Sequence, residues 1–596
     1  GEWLSADLGG AGDGVEKPAE VLALFGLAAD FVTKDLPLQA IKCLEAALAA
    51  KPLPLWEAEA RANLGLLLLE FTRNVGEAKR HLEAALRLVA DYPVGHGFVC
   101  RVQLALAAAL GGLGLRNEQR KVLERAAQME EAHLSGQERG RDRWYVAFRG
   151  RLASLRLEEG DSGGALGVAS ETLERLESGA GCGCSPESLL QGSVTVLQLQ
   201  LLSGEFGGEI SETIKKCAAR CSGTSHELEA TFLLLCAAHK LRDGSAQEVK
   251  LCLDQAAHLI TRRRKQLGGL DSKALGFLGA FHCLLNSRVL CLSGKFDLAR
   301  WQVAEARAKL QRLESQNGGG GSIGGGRLGL LEADSSSESH LLYMKFLLLE
   351  TEVLSALTQS RVEDAAEKIL EAMALFDLNP LALKVCESSV HLLIGSLLTL
   401  CGHYDDSEQH LNQALLQTSA LKEDGYQSNL AKLQLCLLNL EGQTRSTAAV
   451  LETIETYATV FSPHSRGYPA YLLCLVALAV RQQDVGTAKK LVQEALKCAH
   501  AKGDHLVIVF CLIEYARILC LEGDQSQASE SIDAAKSLAA NLHHLPSLVH
   551  ALGFASENSS KKREDILSTV LQRWQARVGS LNPSSIADIQ RWRVAA

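Results

Sequence analysis

Residues able to do chemistry occur in this sequence, but their spacing suits packing better than reaction. The nearest approaches to a metal-ligand set are Cys182 with Cys184, Cys217 with Cys221, and Cys236 with His239. A structural zinc site needs four ligands in a tetrahedral array, usually supplied as two short-spaced pairs. No four-ligand set can be assembled locally from these, so no metal ligand and no cofactor is assigned. No glycine-rich loop ends in Lys followed by Ser or Thr, and the glycines from Gly319 to Gly326 follow no strand, so they form no phosphate cradle. His543 and His544 stand just before Pro546 and read as a helix end. No nucleophile is paired with a base, so no catalytic residue is assigned and an enzyme is not expected.

Two basic clusters and one acidic serine run are the remaining polar signals. Arg262, Arg263, Arg264 and Lys265 are the candidate nuclear import signal, and Lys561, Lys562 and Arg563 form a lesser cluster. Either also suits a solvated helix end. The run from Ser335 to Glu338 suits an acid-directed kinase, or a linker that is simply soluble.

The elements that would carry these residues are helices. Ala and Leu are abundant and only 11 prolines occur in 596 residues, a composition that favours helix throughout. Apolar residues at 47% and charged residues at 22% are those of a folding chain. A net charge of −9 and a pI near 6.1 argue against a dedicated nucleic-acid binder, which needs a concentrated basic surface. Little direct DNA binding is therefore expected. No basic segment with an apolar core opens the chain, and no apolar run is long enough to cross a bilayer, the stretch from Tyr471 to Val480 being too short. A soluble intracellular protein is expected, with its 17 cysteines reduced inside helix cores. The chain begins with Gly1 rather than methionine, which points to a processed or trimmed start.

Between Trp56 and Pro93 two helical patterns face each other. Asn63, Leu64 and Gly65 open an apolar run to Leu69, the chain breaks from Arg73 to Gly76, and Ala78, Leu82 and Ala85 then share one helix face. Small residues at 65, 78 and 85 let two helix axes approach closely. Small, large, small at this spacing is the second-helix signature of the tetratricopeptide repeat (TPR), a unit that cannot bury its apolar face alone. The pattern returns at Ala40, Leu44 and Ala47, and at Gln119, Leu123 and Ala126, where a polar residue takes the first small position. It weakens through Ala165 and Ala169, then Ile210, Ile214 and Cys217, then Val249, Leu253 and Ala256. It recovers at Ala299, Val303 and Ala306, at Ala365, Ile369 and Ala372, and at Ser407, Leu411 and Ala414. Thr447, Leu451 and Ile454, then Ala488, Val492 and Ala495, then Ala528, Ile532 and Ala535 complete the series. The step from Ala488 to Ala528 is 40 residues, against ~34 in the standard repeat.

The expected fold is all-α: a right-handed superhelical solenoid of TPR-like helix pairs with longer-than-standard repeats. Residues 1–17 would be a disordered tail, 18–315 an N-terminal array holding the partner groove, and 316–340 a flexible Gly/Ser-rich insertion. Residues 341–555 would form a C-terminal array, and 556–596 a polar linker with a capping helix. The first helix of each pair lines the inner wall of such a solenoid, which makes Phe25, Glu59, Leu66, Leu69, Arg101, Leu104 and Ala108 candidate contacts for an extended peptide; the competing role of the leucines is packing between repeats. Ordering such a peptide costs roughly 2–5 kcal/mol, which a long wall of contacts offsets.

The residues also carry a family likeness. Glu57 to Arg61, Leu66 to Glu70, Thr72 to Asn74 and Ala78-Lys-Arg-His-Leu-Glu83 resemble the first repeats of the tetratricopeptide subunit of the cohesin loading complex. Leu24 to Ala29 with Ile41 to Glu45 is similar to that family's opening, and His391 to Gly395 with Asp405 to Leu411 to its C-terminal repeats. The resemblance runs from about Pro18 to Leu542. It implies a non-enzymatic scaffold that encloses the extended N-terminal segment of the large, Nipped-B-type HEAT-repeat loader subunit, and through it serves cohesin, chromatin and sister-chromatid cohesion in the nucleus. No small-molecule substrate and no membrane are implied. The glycine-rich insertion and the Cys182–Cys184 loop depart from the family pattern, so no chromatin-targeting surface is carried over. The alternative is a generic TPR peptide-binding adaptor, chaperone-associated or of the anaphase-promoting-complex type; a Lys/Arg clamp along the first helices would favour it.

Overall fold

Prolines and glycines punctuate the chain into helices of 9 to 23 residues. Proline enters the first turn at Pro37, Pro54, Pro469 and Pro583, where a missing N–H costs nothing. Gly402, Gly503 and Gly523 close helices in the left-handed conformation, with φ of 83°, 68° and 88°. The structure, a computed structural model, describes residues 19–593 except 35, 73, 91, 93–94, 134–140, 179–183, 203–207, 222, 244–245, 267–272, 319–335, 421–425, 442–453, 455–460, 462, 464 and 557–560. Among the described residues there is no strand.

The helices run in antiparallel pairs, numbered here from the N-terminus. Pairs one to four are α1 (Ala19–Thr33) with α2 (Pro37–Ala49), α3 (Pro54–Phe71) with α4 (Val75–Val89), α5 (His96–Gly112) with α6 (Arg116–His133), and α7 (Arg141–Glu158) with α8 (Ser162–Ser178). Pairs five to eight are α9 (Pro186–Leu202) with α10 (Gly208–Arg220), α11 (His226–Asp243) with α12 (Ala246–Gln266), α13 (Lys273–Leu292) with α14 (Phe296–Gly318), and α15 (Ser336–Thr358) with α16 (Val362–Leu378). Pair nine is α17 (Glu387–Cys401) with α18 (Tyr404–Ala420). Pair ten begins with α19 (Tyr426–Glu441); its second half, including Thr447 and Leu451, lies outside the described residues apart from the buried Ile454. Then come α20 (Tyr468–Arg481) with α21 (Val485–Lys502), α22 (His505–Glu522) with α23 (Gln525–Leu542), and α24 (Leu545–Ser556) with α25 (Lys561–Gly579), followed by α26 (Pro583–Arg591).

Second helices bury one stripe and leave the rest to solvent: α4 buries Ala78, Leu82, Ala85 and Val89, and α21 buries Ala488, Val492, Ala495 and Ala499. First helices are wedged between their own partner and both neighbouring pairs, so α17 is buried at every position from Glu387 to Gly395. The close approach inside a pair is made by glycine. A Cβ on Gly65 would lie 2.7 Å from Leu82 Cγ, and one on Gly395 would lie 2.8 Å from Leu411 Cδ2, the same contact in two distant pairs. The polar exception at Gln119 is accommodated by the same device, since a Cβ on Gly111 would lie 2.9 Å from Gln119 Nε2. The 40-residue step also has a local cause. Asp484, Asp504 and Asp524 each cap a helix by accepting from the N–H of Thr487, Val507 and Gln527, at 3.0, 3.3 and 3.1 Å, so caps recur every half-repeat.

Contacts between remote pairs fix the superhelix. Gly160, after α7 in pair four, would bring a Cβ within 3.7 Å of Lys384 at the entry to pair nine. Arg466, leading into pair eleven, donates to the carbonyls of Leu241 at 3.0 Å and Arg242 at 3.2 Å in pair six. Phe296 of pair seven packs with Ile513 and Leu542 of pair twelve, and Leu545 N of pair thirteen donates to Ser360 Oγ of pair eight at 2.9 Å. α3 of pair two approaches α14 of pair seven. Each contact joins pairs five apart, so about five pairs complete a turn and successive turns lean on one another.

Three expectations change. Residues 316–318 complete α14 and 336–340 begin α15, so the helical arms reach into the expected insertion, whose centre (319–335) lies outside the described residues, as does the expected tail 1–17. The segment 556–596 does more than cap the end. α25 packs on α24, Arg577 donates to the carbonyls of Gln359 and Ser360 at 3.0 Å each, and Leu581, Ile589 and Trp592 join the core around α16 and α17. Finally, Ala274–Leu292 and Lys384–Cys401 are long and apolar enough to cross a membrane, contrary to the sequence expectation. First helices packed on both sides need apolar residues almost all round, and these stretches are 50% and 67% buried within the fold.

Candidate functional site

The candidate wall is built from the first helices of the early pairs. On α5, Arg101, Leu104 and Ala108 follow one another at helical spacing and are all half-buried, in line with Gly97 and Gly111. On α3, Leu66 and Leu69 are half-buried, and both also pack on the core between pairs. Glu59 is 5% exposed and Phe25 only 4%. Phe25 belongs to the core of pair one, its ring 6.1 Å from that of Trp56, so it supports the wall rather than facing a ligand. The half-buried stripe continues on two helices that the sequence did not single out: Ala147, Gly150 and Ser154 on α7, and Gln191, Thr195 and Gln198 on α9. Their repeats carry the weakest small-large-small signal, and only their register on the helix reveals them.

Gln198 Nε2 lies 3.2 Å from His340 Nε2 on α15, three pairs further on and so across the axis of a five-pair turn. His340 also stands edge-on to Phe277, with ring centroids 6.2 Å apart. The helical arm next to the Gly-rich segment is therefore seated against the N-terminal array.

The motif Ala78-Lys-Arg-His-Leu-Glu83 works between helices and between pairs. Leu82 fills the core, and Lys79 reaches Glu118 on the next second helix at 3.2 Å. Arg61 donates to Glu57 at 2.8 Å and approaches His81 Nδ1 at 3.4 Å. Burial first, and the Arg61 guanidinium second, hold the His81 pKa below the ordinary histidine value, which leaves the ring lone pair free to accept from Arg61. Glu131 with Arg175 at 3.2 Å and Glu177 with Arg220 at 2.6 Å continue the ladder along α6, α8 and α10. Such solvent-screened pairs set the register of the outer helices more than they stabilise them.

Arg263, Arg264 and Lys265 occupy the last turn of α12, with Arg262 just before it, where cations oppose the negative end of the helix dipole. Arg263 pairs with Glu227 at 3.0 Å, while Arg262 and Lys265 are exposed. The cysteines weighed as ligands are core thiols: burial pushes Cys217 up to about 12 and Cys221 up to about 11, and raises Cys236 as well. Cys182 lies outside the described residues.

Stacked helix pairs wound around a side-chain-lined interior make this a tetratricopeptide-type repeat protein. Residues 38–267 match the model of a family described as cohesin loading factor. The sister chromatid cohesion protein SCC4 of Arabidopsis thaliana is 23% identical over 603 aligned residues, covering 86% of this chain and 81% of that protein. Among solved structures, Scc4 in complex with Scc2n is similar over 89% of this chain and 100% of its own, at 12% identity and a TM-score of 0.48. The APC/C hetero-tetramer Cut9–Hcn1 is similar over 96% of each chain, at 13% identity and a TM-score of 0.45.

Proposed function

We propose that this chain is a non-enzymatic scaffold subunit of the cohesin loader, whose interior wall encloses the extended N-terminal segment of the large HEAT-repeat subunit. Through that partner it supports loading of cohesin onto chromatin and sister-chromatid cohesion in the nucleus. The observation that carries this reading is the family match over 38–267, which spans α2 to α12 and so includes the half-buried stripes of α3, α5, α7 and α9. The Arabidopsis relative extends the likeness along most of the chain. A net charge of −9 suits a division of labour in which the large subunit meets DNA. Arg262, Arg263, Arg264 and Lys265 are the proposed import signal. A chaperone-type adaptor would need a basic clamp on the wall, and of the seven wall residues named from sequence Arg101 is the one cation.

Co-expression of the full chain with the N-terminal region of the large loader subunit tests the reading. A complex that co-purifies at low and moderate salt is expected, and Leu104→Arg with Ala108→Arg should weaken it more than about tenfold, roughly 1.4 kcal/mol. Failure of the wild-type chains to co-purify contradicts the proposal.

A further inference from the structure

Pair three brings three unlike donor atoms to one point. His96 opens α5, and Cys100 follows one helical turn later on the same face. Glu130 comes from the last turn of α6. His96 Nε2 lies 2.8 Å from Glu130 Oε2 and 3.3 Å from Cys100 Sγ, and that sulfur lies 3.7 Å from Glu130 Oε1. One donor atom from each residue fits within a span of 4.8 Å. Cys100 and Glu130 are each 1% exposed, while the His96 side chain is 37% exposed and opens the cluster to solvent.

Direct hydrogen bonds make Glu130 the common acceptor, Oε2 from His96 Nε2–H and Oε1 from the Cys100 thiol. The 3.3 Å approach of Cys100 Sγ to that same Nε2 is left over, because the single ring hydrogen there already serves the carboxylate. A thiol–imidazole–acid relay is ruled out, because it needs the thiol on one ring nitrogen and the carboxylate on the other. Glu130 is buried, and among the described residues its ion-pair partner is His96 rather than a Lys or Arg. Convergence of nitrogen, sulfur and oxygen on one centre is what a cation requires. Tetrahedral zinc, with bonds of roughly 2.0 to 2.3 Å, sets its ligand atoms about 3.3 to 3.6 Å apart. The two sulfur separations already match that spacing, and the nitrogen–oxygen one needs to open by about half an ångström.

We propose that His96, Cys100 and Glu130 bind one Zn²⁺, through imidazole Nε2, thiolate Sγ and a carboxylate oxygen, with the fourth position turned to solvent beside His96. The thiol proton leaves to solvent on binding, and thiolate plus carboxylate then balance the charge of the ion. Sulfur and nitrogen donors select a borderline-soft ion over magnesium or calcium. The metal ties the start of α5 to the end of α6 and so clamps the pair that carries Arg101, Leu104 and Ala108.

The test uses the full chain, stripped with a chelator under reducing conditions and titrated with Co²⁺, then Zn²⁺. One equivalent of cobalt should give a thiolate-to-metal charge-transfer band that one equivalent of zinc abolishes. Cys100→Ser should remove the band with an unchanged circular dichroism spectrum, and Cys217→Ser with Cys221→Ser should keep it. His96→Asn, at a partly exposed position, should weaken zinc binding at least about 100-fold, the upper end of what a supporting residue costs. The proposal is overturned by a wild-type chain without the band, by a band that survives Cys100→Ser, or by full zinc affinity in His96→Asn.

Discussion

Gly65→Ala puts the packing argument at risk, because two established effects oppose each other there. In a helix interior, alanine is favoured over glycine by about 1 kcal/mol. At this position the new methyl would sit 2.7 Å from Leu82 Cγ, 2.9 Å from its Cδ2 and 3.3 Å from the Ala78 carbonyl oxygen. Leu82 is fully buried in the core between pairs, and its Cγ as well as its Cδ2 would have to move. Overpacking of this kind costs about 1–3 kcal/mol, so the net change should be a loss of about 1 kcal/mol. In a Leu82→Ala background, itself costing about 2–5 kcal/mol, the clash is gone and the same substitution should stabilise by about 1 kcal/mol. The two sites should therefore couple by about 2 kcal/mol in a double-mutant cycle. Gly26→Ala, with nothing within 4 Å of the new methyl, is the control and should stabilise. Repeat arrays open locally, so hydrogen-exchange opening free energies are the right assay, read on α3 and α4 amides for Gly65→Ala and on α1 and α2 amides for Gly26→Ala. Stabilisation by Gly65→Ala equal to that of Gly26→Ala would refute the reasoning.

Arg577→Ala removes the donor shared by the Gln359 and Ser360 carbonyls and should cost about 1.5–3 kcal/mol locally. Faster proteolysis within α25 and α26, with the early pairs unaffected, is the expected readout. Acid should loosen the same region. Burial, then the neighbouring His410, holds His391 down at about 3, and burial lowers His410 as well. An unfolded histidine takes up its proton near pH 6.5 and the folded His391 does not until about pH 3, so stability is intact above 6.5 and falls as pH drops between the two. The loss is about 1.4 kcal/mol per pH unit while that difference holds. His391 lies 5.0 Å from the Trp592 ring, so the fluorescence difference between wild type and Trp592→Phe should report it, and a flat profile from pH 7 to 5 would count against it.

Much of the fold was legible because helix pairing is a local affair. Ala78, Leu82 and Ala85 declare a face by their spacing alone, and Gly65 announces where the partner helix must come close. Apart from Ile454, the described residues of the assigned second-helix series lie within second helices, Gln119 included, because Gly111 makes room for it. The wall was harder to read. A first helix is packed on nearly all sides, so its apolar pattern does not say which residues face the interior, and Phe25 turned toward Trp56 instead. The five-pair turn left no trace in any window: Arg466 meets Leu241 across 225 residues. His96 and Glu130 are 34 residues apart on different helices, too far for a motif scan tuned to short-spaced pairs. The return of Trp592 onto α16 and α17 is equally remote from any local period, since an amphipathic helix shows that it has an apolar face but not what covers it.

Photo-crosslinking of the reconstituted pair tests the central claim most directly. A photoreactive residue at Leu104 or Ala108 on the inner wall should capture the N-terminal segment of the large loader subunit, while one at Leu251, 63% exposed on the outer helix α12, should not. Capture from Leu251 with none from Leu104 or Ala108 would place the partner on the outside and contradict an enclosing interior.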